Sequence, residues 1–124
     1  MAHTVLVVED EAVIREDISS HLEDLGLTVF QAESASGAIS KIMRHPEIAL
    51  VFTNIRMPGP MDGRDLVLWL QLNHPRVVVM VATGGFGRIN AMKDMRVACA
   101  FLKPYKPEMV SASIFKVLEH RTAQ

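Results

Sequence analysis

The chain has 124 residues, 49% of them hydrophobic and 22% charged, with 7 glycines and 6 prolines, the make-up of one globular domain rather than a disordered or fibrous chain. Its net charge is −1 with Lys and Arg scattered along it, so no basic run exists to track a phosphate backbone, and nucleic-acid binding by this chain alone is not expected. No apolar run approaches the roughly 18 residues of a membrane span, "MAHTVLVVED" goes directly into a strand so that no signal peptide is expected, and the lone Cys99 in "RVACAFL" reads as a packed core thiol of a reducing compartment, so a cytoplasmic location is expected.

In chain order, "TVLVV" (Thr4 to Val8) is a short continuous apolar run, as expected of a strand covered on both faces. Val13, Ile14, Ile18, Leu22 and Leu25 then recur at helical spacing, with Gly26 as the stop. "LTVFQA" is a second strand, and Ser34 caps a helix with Ala38, Ile39, Ile42 and Met43 that ends before Pro46. "IALVFT" is the third strand, and Asp62 caps a helix through Leu66, Val67, Leu70 and Gln71. "VVVMVA" is the fourth strand, a weak helix is expected around Asn90 to Met95, and "CAFL" is the fifth strand. Pro107 opens a last helix carrying Val110, Ile114, Val117 and Leu118.

A β-α unit repeated about five times predicts an α/β fold: a doubly wound, five-stranded parallel sheet with helices on both faces and right-handed crossovers. In such sheets the working site lies beyond the carboxyl ends of the strands. There the first strand delivers Glu9 and Asp10, the third Asn54, the fourth Thr83-Gly84-Gly85, and the fifth Lys103-Pro104. Hard oxygen donors with little charge suit a Mg²⁺ that keeps several waters and shares its shell with a phosphate. A hydroxyl and an ammonium opposite it suit phosphoryl oxygens. What the set lacks is a nucleophile.

Taken singly, each of these residues has a plainer reading: acids favoured at a helix start, a threonine in a turn, a surface lysine. Together in order, "VLVVEDE", "TNIRMPGPMDG", "VATGG" and "FLKPY" resemble the signature blocks of the response-regulator receiver domain, the CheY-like, flavodoxin-like phosphoacceptor of two-component signalling, over nearly all of residues 1–124. The resemblance implies a single receiver domain that acts by signalling rather than as an enzyme. In that family an aspartate before the Met-Pro loop takes a phosphoryl group from a sensor histidine kinase or histidine phosphotransfer protein. Glu9 and Asp10 would then be the acidic pair, Asp10 binding Mg²⁺ directly and Glu9 through water, with Arg56 adding a backbone carbonyl. Thr83, Gly84 and Lys103 would face the phosphoryl oxygens, and Lys103 would be the charge partner of the phosphoacceptor. A cis bond at Lys103-Pro104 would aim that lysine inward.

Asn54 stands at the phosphoacceptor position. A carboxamide can offer an oxygen to a metal, but it cannot form the acyl phosphate, and the site loses one negative charge, so Mg²⁺ binding should weaken. With aspartate there, the domain would assist its own phosphotransfer and dephosphorylation. Two explanations are open: an engineered replacement of a native aspartate, which the retention of both acids, Thr83 and Lys103 favours, or a natural pseudo-receiver adaptor that signals without phosphate.

The aromatic switch residue of the family is displaced as well. Its usual place, three before the lysine, is Ala100, leaving Phe101 one off in register and Phe86 three past Thr83 as the switch candidates. This is similar to an atypical receiver subgroup with a Phe-Ala-Thr-Gly-Gly-Tyr block. Output is expected through a downstream protein partner on the face near Lys93, Arg96, Tyr105 and Lys106, with the kinase docking near Ile14 and Arg15. The chain is expected to be a monomer or weak dimer, with no room for an effector domain, no nucleic acid and no membrane. A flavodoxin-like cofactor binder is the distant rival, disfavoured because "EDEA" follows the first strand where a Ser/Thr-rich phosphate loop would stand.

Pro58 and Pro60 stiffen the loop after Asn54, and Gly59 and Gly63 are read as turn residues. His3, His21, His45, His74 and His120 show no ligand spacing.

Overall fold

The computed structural model describes residues 3–85 and 95–123. In chain order these form β1 (Thr4–Val8), α1 (Ala12–Asp24), β2 (Thr28–Ala32), α2 (Ala35–Arg44), β3 (Ile48–Asn54), α3 (Gly63–Asn73), β4 (Val78–Thr83), β5 (Cys99–Leu102) and α4 (Pro107–Ala123). The helix expected around Asn90 to Met95 lies, apart from Met95, outside the described residues, as do Phe86 and Lys93.

The five strands pair in parallel in the order β2-β1-β3-β4-β5. The chain therefore reverses direction across the sheet between β1 and β3, and a crevice opens at their carboxyl ends. Register decides who meets there. Val8 of β1 lies beside Thr53 of β3, so Glu9 and Asn54 leave the sheet as neighbours.

Alternation along each strand splits the core into two layers, which is why the strands read as unbroken apolar runs. Leu6, Val8, Val51 and Val81 face α2 and α3, where Ala38, Ile42, Leu66 and Leu70 cover them. Val5, Val7, Leu50, Phe52 and Met80 face the opposite way, against Ile18 and Leu22 of α1 and Val110, Ile114 and Leu118 of α4. Each of these large side chains contributes about 1.5–3 kcal/mol by leaving water.

The helix ends follow the expected chemistry. The Ser34 hydroxyl accepts a hydrogen bond from the Gly37 amide at 3.0 Å. Asp62 and Asp65 cap α3 reciprocally, each side chain accepting from the other's backbone amide at 3.0 Å. Gly26, at φ 95°, turns the chain after α1.

Three apolar positions depart from the expected helical stripes. Val13 is 81% exposed, Leu25 47% and Met43 66%. Val13 sits in the first turn of α1, and Leu25 is its C-cap, outside the helix, so neither reaches the layer filled by Ile18 and Leu22. Cys99 is half-buried rather than enclosed, because β5 is an edge strand. Among the described residues no helix is long and apolar enough to cross a membrane.

Candidate functional site

Glu9 extends β1 by one residue, its amide donating to the Ala32 carbonyl of β2 at 3.0 Å, and it is only 4% exposed. A buried carboxylate needs partners, and this one has three. Its Oε1 accepts from the Lys103 Nζ at 2.7 Å. Its Oε2 accepts from the Glu11 amide at 3.2 Å and from the Asn54 Nδ2 at 3.3 Å.

Asn54 ends β3, buried at its last rung. Besides Glu9, its Nδ2 donates to the Asp10 Oδ1 at 3.2 Å and to the Arg56 carbonyl at 2.9 Å. Thr83 ends β4 buried, and its hydroxyl accepts from the Gly85 amide at 3.4 Å. The Lys103 amide donates to the Thr83 carbonyl at 2.8 Å, and the Lys103–Pro104 bond is cis, as expected.

These residues share one cleft of about 570 Å³, lined by Asp10, Glu11, Asn54, Arg56, Thr83, Gly84, Gly85 and Lys103 among others. Every site residue expected at the strand ends thus converges there, with Glu9 beneath the floor. Two contacts differ from expectation. Lys103 sits on Glu9 instead of position 54, since a neutral carboxamide offers an ammonium no charge and the carboxylate does. Asn54 turns its nitrogen, not its oxygen, towards the acids, because the groups around it are all acceptors.

Glu9 Oε2, Asp10 Oδ1 and the Arg56 carbonyl oxygen gather around the Asn54 Nδ2. Three hard oxygens are the donor type a small divalent cation takes, although the described residues hold no group of three or more His, Cys, Asp or Glu side chains that could by themselves bind one.

Two supporting residues escaped the sequence reading. Arg15, read only as a docking residue, donates from its Nη1 to the Glu9 carbonyl at 2.8 Å and from its Nε to the Gln31 Oε1 at 3.1 Å. It ties the ends of β1 and β2 together behind the acidic pair. No signal short of the strand order could have found it. Gly63, read as a turn glycine, opens α3 pressed against β3: a Cβ there would fall on the Asn54 carbonyl oxygen, and the Gly63 amide donates to the Ile55 carbonyl at 2.7 Å. The turn proper belongs to Gly59, at φ 102°.

Beside the cleft, Phe52 takes two aromatic edges. Phe101 meets it at 6.0 Å between ring centres and Tyr105 at 5.4 Å. Phe101 is therefore packed in the layer under α1 and α4. The Tyr105 phenol is pushed up to about 12, first by burial and then by the negative charges of Glu9 and Asp17.

A family model, the response regulator receiver domain, matches residues 5–115. The chain is 36% identical over 86 residues to the nitrogen assimilation regulatory protein NtrX of Azorhizobium caulinodans, covering 68% of this chain and 18% of that protein. It is 32% identical over 109 residues to the response regulator protein FleR of Pseudomonas aeruginosa, covering 86% of this chain and 22% of that one. The chain thus spans about a fifth of the length of these curated relatives. A response regulator receiver domain protein from Clostridium thermocellum superposes with a TM-score of 0.87 at 25% identity, covering 98% of both chains.

Proposed function

The chain belongs to the response-regulator receiver family of two-component signalling, and on that premise we propose that it is a phosphoacceptor-null receiver working through protein binding. The observation that carries this reading is Asn54 itself, buried at the end of β3 within hydrogen-bond reach of both acids and the Arg56 carbonyl. A phosphoacceptor would stand at that position, and a carboxamide lacks the nucleophilic charge to form an acyl phosphate. Around it, Glu9, Asp10 and the Arg56 carbonyl would hold Mg²⁺, Thr83 and Gly84 would meet phosphoryl oxygens, and Lys103 would balance charge. Retention of these residues around a disabled centre supports Asn54 as a replacement of an aspartate.

The kinase or phosphotransfer partner would seat on a groove of about 430 Å³ between the first turn of α1 and the β5–α4 turn, lined by Val13, Ile14, Asp17, Lys103, Pro104, Tyr105 and Pro107. Lys103 lines both that groove and the cleft, which supports a partner seated there sensing the state of the cleft. Exposed Arg96 and Lys106, with half-buried Tyr105, would meet the downstream partner.

A second reading, a constitutive adaptor, is favoured by one observation: side chains of the protein itself, Asn54 and Lys103, supply hydrogen bonds to the acidic pair. Labelling with acetyl phosphate and Mg²⁺ separates the two. The Asn54→Asp variant should take up label close to one per chain and the parent none. An aspartate variant that takes up none would leave the adaptor standing.

A further inference from the structure

We propose that the Asn54 carboxamide nitrogen acts as a built-in stand-in for the cation of this site, holding the acidic pair closed without metal, so that a divalent cation must displace it to bind. This deepens the receiver reading and rests on it for the identity of the metal.

The geometry points to this through the number and kind of groups around one atom. The Nδ2 lies 3.3 Å from Glu9 Oε2, 3.2 Å from Asp10 Oδ1 and 2.9 Å from the Arg56 carbonyl oxygen. All three are acceptors without a proton of their own, and two belong to carboxylates. An amide nitrogen carries partial positive charge and two hydrogens, so it supplies in weaker form what a cation supplies there: a positive centre shared by three oxygens.

The opposite rotamer would set the Asn54 oxygen against three other oxygens with nothing between them. With two of the three belonging to carboxylates, that arrangement is disfavoured until a cation enters among them. For the amide oxygen to become a metal ligand, the side chain has to turn over and withdraw its two N–H groups from all three acceptors. The second oxygen of Glu9 is already held at 2.7 Å by Lys103, so both ends of that buried carboxylate are occupied before any metal arrives. Asparagine at position 54 therefore does two separable things: it removes a nucleophile, and it donates into the pocket. Alanine would do only the first.

Thermal melts of the parent, Asn54→Ala and Asn54→Asp, each in EDTA and in excess MgCl₂, separate these effects. The parent should melt at the same temperature in both, within about 1 °C. Asn54→Ala should melt about 4 °C lower than the parent in EDTA and regain part of that with Mg²⁺, since its acids have lost their donor. Asn54→Asp should be the least stable in EDTA and gain the most from Mg²⁺. Independently of any variant, the Asn54 side-chain NH₂ pair in ¹⁵N spectra of the parent in EDTA should exchange with solvent at least about tenfold more slowly than a free asparagine amide.

The proposal is overturned if the parent gains as much from Mg²⁺ as Asn54→Asp, if Asn54→Ala matches the parent in EDTA, or if the Asn54 NH₂ exchanges freely. The receiver reading fails separately: there, Asn54→Asp would neither respond to Mg²⁺ nor take label from acetyl phosphate.

Discussion

Lys103 stands between two hollows at the carboxyl rim of the sheet, one polar and one apolar. In and beneath the cleft over β1, β3 and β4, the polar groups are tied: Glu9 to Lys103, Glu11 and Asn54, and Asn54 to Asp10 and Arg56. The groove beside it is lined by Val13, Ile14, Pro104, Tyr105 and Pro107, and Val13 lies 81% exposed. A network of mutually satisfied polar atoms tolerates little movement, because each lost partner leaves a buried group unpaired. An exposed apolar surface is stable in water yet gains free energy when covered, which is how a docking surface behaves. The cleft is thus suited to fix chemistry and the groove to accept a partner, and substitutions should affect them differently.

The largest effect is expected from the wall behind the cleft. Gly63→Ala forces a methyl group into the Asn54 carbonyl, so α3 or the end of β3 has to move. A loss of about 3 kcal/mol is expected, read as a fall in melting temperature of about 12 °C. A change under about 1 kcal/mol would show that α3 is not held rigidly against β3.

Lys103→Met comes next. It leaves the Glu9 carboxylate without its ion partner while keeping the side chain's length. The full penalty for breaking a buried pair is reduced here because the Lys103 side chain is 23% exposed. About 2 kcal/mol is expected in denaturant titration, and a neutral result would mean that water replaces the ammonium freely.

Tyr105 tests the groove wall through its own spectrum, since it is the only tyrosine in the chain. An ultraviolet titration should find the phenol ionising near 12, above the usual 10. The folded state holds that proton more tightly than the unfolded chain. The stabilisation is therefore complete below pH of about 10 and is lost as pH rises towards 12, a loss that Tyr105→Phe should remove. An ordinary midpoint near 10 would mean that the ring is solvated and the groove open.

The smallest effect on stability belongs to Val13→Glu. At a side chain so exposed, the change should stay within about 0.5 kcal/mol, while affinity for a histidine kinase or phosphotransfer domain, measured by titration calorimetry, should fall at least about tenfold. Unchanged affinity would remove Val13 from the docking surface.

The sequence by itself determined the β-α alternation, the strands, the described helices and their Ser34 and Asp62 caps, because these depend on periodicity and on side chains that bond their own local backbone. It also brought Glu9, Asp10, Asn54, Thr83, Gly84 and Lys103 to one rim, since strand ends in a doubly wound sheet point there. Only the tertiary structure decided which atoms face each other. Arg15 behind Glu9 depends on β2 lying beside β1, and Gly63 against Asn54 depends on how closely α3 approaches β3. The inward turn of the Asn54 nitrogen and the move of Lys103 onto Glu9 depend on which acceptors gather around one point. Such choices are made by through-space electrostatics between residues far apart in the chain, and no local pattern records them.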